Sequence, residues 1–280
     1  MKPRTRRVLN VVMSWLSALA AALVVLPLLL IFGFLLWQGA SAVNVDFFTH
    51  LPKPVGEVGG GMANAIVGTL ILLTLAAALG LPIGILGGLY LAESRDARLP
   101  WLARFLADVL NGVPSIVVGI FAYTVVVLPM RRFSAIAGAF ALAVIMLPIV
   151  VRTSEELVRL VPASLREAAL ALGIPQWKVL LRVVLPTARA GIITGVMVAI
   201  ARVAGETAPL LFTAFGNRFW HQTLDQPIAA LPLQIFAYAI APYDDWHRQA
   251  WAGALVLIGL VFAVSLAARV VTSGRFTGVR

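Results

Sequence analysis

The 280 residues contain no cysteine, and charge is scarce: Asp, Glu, Lys and Arg together supply 12% of the chain. The first absence excludes disulfides, thiolate metal sites and cysteine nucleophiles. The second excludes an ordinary water-facing exterior, because a soluble domain carries roughly a quarter of its residues charged. Histidine is nearly lacking as well, with only His50, His221 and His247. Those three and twelve scattered carboxylates offer no metal or hydrolytic constellation. What is present is apolar: 61% hydrophobic residues and a mean hydropathy of +0.96.

The apolar residues fall in runs. Segments 8–45, 58–92, 109–130, 133–151 and 249–268 hold no charged side chain beyond their edges. Each exceeds the ~18 residues needed to cross about 30 Å of hydrocarbon. A sixth run, 190–217, is long enough but carries Arg202 and Glu206. The expected fold is all-α and integral to the membrane, one transmembrane domain over 1–280. Its spans are expected at 11–37, 65–92, 108–128, 133–151, 190–213 and 251–268. The first run is too long for the h-region of a cleaved signal peptide, so it reads as an uncleaved signal anchor despite Ala40-Ser41-Ala42.

A net charge of +10 suggests nucleic acid, but six spans explain it otherwise. With the N-terminus in the cytoplasm, sixteen Lys and Arg lie on inside segments and five outside, with Arg202 inside a span. By the positive-inside rule both termini are then cytoplasmic. Arg131-Arg132, in a short outside loop, is a local exception. Early in the third span, Asn111-Gly112-Val113-Pro114-Ser115 predicts a bend or an unwound stretch, tolerated only where it is packed or lines a cavity. The outside segment 214–249 contains an apolar stretch, 227–242, too short to span. It suits an interfacial helix that docks a partner or plugs the outer mouth.

The inside segment 152–189 is the most specific part of the chain. Ser164 and Glu167 have capping-box spacing, Gly173 is a helix stop and Pro175 opens the next helix. A short helix over 163–173 is thus predicted at the membrane surface, with Ala168 and Ala169 keeping one face small enough to enter a groove. A second, amphipathic helix carries Trp177, Leu180, Leu181 and Val184. A DNA-binding helix-turn-helix has similar offsets, but this segment is tethered at both ends to membrane spans.

Glu167-Ala168-Ala169, Gly173, Val183 and Leu185-Pro186 stand at the spacing of the EAA-loop signature, with Val183 in place of isoleucine. The chain therefore resembles the permeases of bacterial ABC importers, with their MetI-like permease fold. It is most similar to the PstA-type permeases of phosphate-specific transporters, through the stretches 111–123, 199–213 and 227–232 and Trp251-Ala252-Gly253. The resemblance implies that 152–189 is a coupling loop, with Glu167, Ala168, Ala169 and Gly173 at the contact with an ATP-binding ABC subunit dimer. No Walker A loop occurs in this chain, so ATP and Mg belong to that partner. The resemblance further implies a homologous, PstC-like second permease, a periplasmic phosphate-binding protein and the bacterial inner membrane.

The charges within the spans complete the picture. Arg202 and Glu206 stand at i and i+4, the spacing of a helical ion pair. That pair either neutralises itself or offers a guanidinium to a passing tetrahedral oxyanion, as arginine's two-pronged donor geometry suits. Arg152 and Glu155, at i and i+3, form a second pair that is either an exit gate or a snorkelling arginine paired at the interface. Thr207, Ser115 and Asn111 complete the candidate pathway. The expected function is an ATP-driven importer's permease for inorganic phosphate, itself no enzyme and binding no cofactor. Another oxyanion or small solute, a membrane-embedded enzyme, or an anion channel stand as alternatives.

Overall fold

The computed structural model describes residues 3–57, 59–94 and 98–273. Lys2, Arg95 and the basic residues of 274–280, which contribute to the charge count, lie outside the described residues. The order of helices is α1 (Pro3–Gly39), α2 (Ala63–Glu93), α3 (Arg98–Gly112), α4 (Ser115–Met130) and α5 (Ala135–Arg159). Then follow α6 (Ala163–Ala171), α7 (Gln176–Ala204), α8 (Leu231–Ala239) and α9 (Asp244–Ser273). Among the described residues, extended pairing is confined to one isolated bridge, Phe215 with Ile228.

Five helices (α1, α2, α5, α7 and α9) are long and apolar enough to cross a membrane. The sixth candidate is a bent pair of helices. α3 and α4 meet at 106° across Val113-Pro114, so the helix expected over 108–128 does not exist as a single rod. Proline has no N–H to continue the ladder, and Gly112 costs little to end on. Residues 98–112, expected to be partly a polar turn, instead form an amphipathic helix. Its Pro100 and Ala107 are buried, while Trp101 and Phe105 stack on the exposed side.

Two further expectations are corrected. The separate amphipathic helix over 176–186 is continuous with the fifth span, joined through a turn of π-helix at Leu180–Val184. At its other end α7 stops at Ala204 rather than running on to 213, and a single turn, Ala208–Leu211, follows. The fourth and sixth spans are longer than expected, because α5 continues through Arg152 to Arg159 and α9 begins at Asp244.

The core is built on α2 against α5. Along α2, the buried Gly80, Gly84 and Gly88 face Ala143, Val150 and Val151. A Cβ at Gly88 would lie 2.6 Å from the Val151 carbonyl oxygen, and one at Gly84 would lie 2.7 Å from Val150. Close backbone approach by small residues is how helices associate without a hydrophobic drive between them. α1 touches the rest mainly near its end, where Phe34 meets Trp251 edge-on at 5.2 Å, and its remaining apolar face is exposed.

Successive spans alternate in direction. One end of the bundle gathers the end of α2, α3 and the α5–α6–α7 connection. The other gathers 40–57, 59–62, 131–134 and 213–243. There, the stretch leading into α8 is built into the bundle, with Ile228, Ala229, Ala230 and Leu231 almost fully buried, while Phe236 of α8 and Ile240 just after it are exposed. Thr69 Oγ1 accepts from the Leu231 N–H at 2.8 Å, which pins this segment into the bundle. The Arg131-Arg132 exception has a local answer, since Arg132 pairs with Asp225 at 2.6 Å.

Candidate translocation and coupling site

α5 ends its passage through the bundle on a buried carboxylate. Glu155 is 1% exposed and three guanidinium groups surround it. Arg104 Nε donates to Oε1 at 2.6 Å, Arg159 reaches the same oxygen at 2.8 Å, and Arg152 reaches Oε2 at 3.1 Å. Arg152 also contacts Asp108 of α3 at 3.1 Å. The arginines have further contacts, because Arg104 and Arg159 both donate to the carbonyl oxygen of Leu91 near the end of α2. Cations at a helix C-terminus satisfy carbonyls that lack an intrahelical partner. The expected Arg152–Glu155 pair is therefore present, but as part of a five-residue cluster that ties α2, α3 and α5 together. Sequence reasoning misses Arg104, Asp108 and Arg159, although Glu155/Arg159 and Arg104/Asp108 do stand at i,i+4 spacing.

Arg202 is built in the opposite way. The expected ion pair with Glu206 is not formed. The helix that would have placed both on one face ends at Ala204, with Gly205 as its cap, so Glu206 lies beyond the last turn. Arg202 is exposed on this chain, and among the described residues it makes no ion pair or side-chain hydrogen bond. Its level is set by packing. A Cβ at Gly195 would collide with Thr153, so Gly195 of α7 lies beside the Arg152 turn of α5. Arg202 is seven residues, about 10 Å, further along α7. Thr194, Val198, Ala201, Arg202 and Gly205 share one exposed stripe of that helix.

The break after Ala204 carries Thr207 toward α4, where a Cβ at Gly119 would lie 2.6 Å from Pro209. Ser115 is one turn from Gly119 on the same helix, and about 16 Å of helix separates Gly119 from Met130 at the span's end. The break therefore lies within the apolar slab. Thr207 and Ser115 are half-buried near this crossing, whereas Asn111 is exposed on the far side of the Val113-Pro114 bend.

The short helix expected over 163–173 is present, with two differences. α6 starts after Pro162, and Ser164 is inside the helix with no capping-box hydrogen bond, so that expectation is corrected. Proline at the cap and the Leu165 N–H to Pro162 carbonyl bond start the helix instead. The alanine face is also split. Ala169 is buried against the bundle, leaving Ala168 with Glu167, Leu165 and Leu172 outward. The end is a Schellman motif: Ile174 N–H bonds to Ala169 O and Gly173 N–H to Leu170 O. Gly173 has φ +76°, a conformation that favours glycine.

Comparison with known proteins places this arrangement. The model of the family "Binding-protein-dependent transport system inner membrane component" matches residues 84–275, well over half of the chain. A "Phosphate transport system permease protein PstA" of Yersinia pestis is 47% identical over 237 residues, covering 84% of this chain and 80% of that relative. One of Xylella fastidiosa is 46% identical over 268 residues, covering 95% and 93%. This chain belongs to the PstA family of phosphate transport permeases. Its fold is that of ABC importer permeases. A bacterial ABC transporter involved in the import of the acidic polysaccharide alginate superposes with a TM-score of 0.65 at 15% identity, over 97% of this chain and 99% of that one. The six-span, all-helical expectation is thus met, and the permease is a multi-pass membrane protein.

Proposed function

We propose that this permease forms half of the translocation pore of an ATP-driven importer of inorganic phosphate in the bacterial inner membrane. The carrying observation is Arg202: an exposed guanidinium within the apolar slab, with no carboxylate paired to it among the described residues. A charge at that depth costs at least ~2.5–3.5 kcal/mol by insertion scales, so it has to face a water-filled path or a partner. The exposed stripe of α7 lines that path, and a homologous, PstC-like permease closes it from the other side.

An oxyanion that sheds water at Arg202 recovers the loss through charge-assisted, two-pronged hydrogen bonds. Thr207 and Ser115 supply hydroxyls near the same crossing. About 10 Å further along, Arg152 is already engaged by Glu155 and Asp108, so it offers weaker attraction and lets the anion leave. The periplasmic binding protein delivers phosphate at the 213–243 end, and an ATPase dimer grips α6 at the other. Both termini then lie in the cytoplasm. ATP and Mg remain on the ATPase. ATP-driven closure shifts α6, and the halves of the pore rock between outward and inward openings, a rigid-body transition between two states.

Reconstitution of the assembled complex in proteoliposomes tests this reading. ATP-dependent accumulation of labelled phosphate, strictly requiring the binding protein, is expected. Accumulation that needs neither ATP nor partners would identify an anion channel instead.

A further inference from the structure

A nine-residue helix in water is not stable alone, so what fastens α6 also decides where its movement goes. Its inward face is apolar and slight: Ala169 packs into the main core beside Ile174 and Val179. Among the described residues, its one ionic tie to the bundle is Arg166. That guanidinium pairs with Glu93, the last residue of α2. It also donates to the carbonyl oxygen of Val158, in the last turn of α5, at 2.7 Å. The two charged side chains are 23% and 22% exposed, which sets them apart from a freely solvated surface pair.

We propose that Arg166 is the mechanical tie of the coupling helix, a positioning residue that transmits its displacement to the α2–α5 pair. The inference rests on the reading of α6 as the ATPase-docking helix. The fork of arginine spans two targets at once, one carboxylate and one carbonyl, in a geometry lysine does not reproduce. The two targets are the adjacent ends of helices that are themselves locked by glycine-mediated contact. Sliding α6 against either helix breaks a charge-assisted hydrogen bond in a partly dewatered site. The ends of α2, α5 and α6 therefore move as one body. Neighbouring residues take different faces: Arg166 reaches the bundle, and Glu167, about 100° round the helix, is exposed.

A charge-swap series in the reconstituted complex tests the tie. The variants are Arg166→Glu, Glu93→Arg and the two together, scored by ATPase retention, ATP hydrolysis and labelled phosphate moved per ATP. The single variants are expected to retain a hydrolysing ATPase while phosphate per ATP falls about tenfold, within the range of couplings in one ion-pair network. The swapped pair is expected to recover to within about threefold of the parent. Unchanged phosphate per ATP in the single variants, or a swap no better than the worse single, overturns the tie. Failure of the parent chain to hold the ATPase would instead remove the reading of α6, and the tie with it. If the charge reversals do not reach the membrane, Glu93→Cys with Arg166→Cys replaces them in this cysteine-free chain. A thiol-reactive cross-linker joining the pair should then raise phosphate per ATP, and no rise on complete cross-linking overturns the proposal.

Discussion

Two charged stations lie about 10 Å apart along the bundle, one around Glu155 and one at Arg202, and they are composed differently. Around Glu155 a buried carboxylate is held by three arginines, with Asp108 attached to one of them. At Arg202 a lone guanidinium stands exposed beside a break between helices. Removing charge from the first leaves its arginines crowded together without their shared acceptor. Removing it from the second strands no partner among the described residues. The same residue types thus stand as a buried clamp in one place and as an exposed cation, the proposed binding group, in the other, and neighbourhood decides which.

Mutations can break this contrast, the largest expected effect coming first. Glu155→Ala should destabilise the protein by about 1–3 kcal/mol, because three partly exposed arginines lose the carboxylate that accepts their hydrogen bonds. Loss of folded, detergent-soluble permease and a lowered unfolding temperature would report it. Next, Val198→Glu would place a carboxylate one turn before Arg202 on the same exposed stripe, the favourable order for a helical pair. Such a partner should cut phosphate uptake about tenfold by occupying the guanidinium, with the complex still assembled. Arg159→Ala should cost no more than about 1 kcal/mol in thermal unfolding, because that side chain is half exposed and Arg104 and Arg152 still cover Glu155.

The smallest effect concerns the outer loop. Asp225 has its carboxyl held below the usual range, first by the Thr223 hydroxyl and then by Arg132. A depressed folded value means that its contribution is present above the unfolded pKa and is lost only as pH falls through the folded one. Between about pH 5 and 8 the Arg132–Asp225 contact should therefore be pH-independent, and Asp225→Asn should leave the unfolding temperature flat over that window. A steep dependence there would show that another group governs the loop.

The sequence exposes this architecture unevenly. Spans are legible because hydrophobic runs free of charge have one physical reading in a chain this poor in charged residues. The proposed coupling helix is legible because Gly173 needs a positive φ, which glycine supplies without strain. Arg202 as a pathway candidate is also visible, but its expected pairing fails. The i,i+4 rule presumes an unbroken helix, and Gly205 ends it. The α3–α4 bend is marked by Asn111-Gly112-Val113-Pro114, yet the helix before it is hidden, because much of its apolar side is exposed rather than packed. Arg104 with Glu155 and Arg166 with Glu93 are illegible for a simpler reason. They are 51 and 73 residues apart, and only the packing of α3 on α5 and of α6 on the end of α2 brings them together.

The contrast between the two stations is tested most directly by Arg202→Gln in the reconstituted importer. Normal assembly, an unfolding temperature unchanged from the parent and retained ATPase binding are expected, with phosphate uptake reduced to background. Uptake at the parental rate, or loss of folded protein in the variant, would contradict the claim that Arg202 is an open anion-binding group.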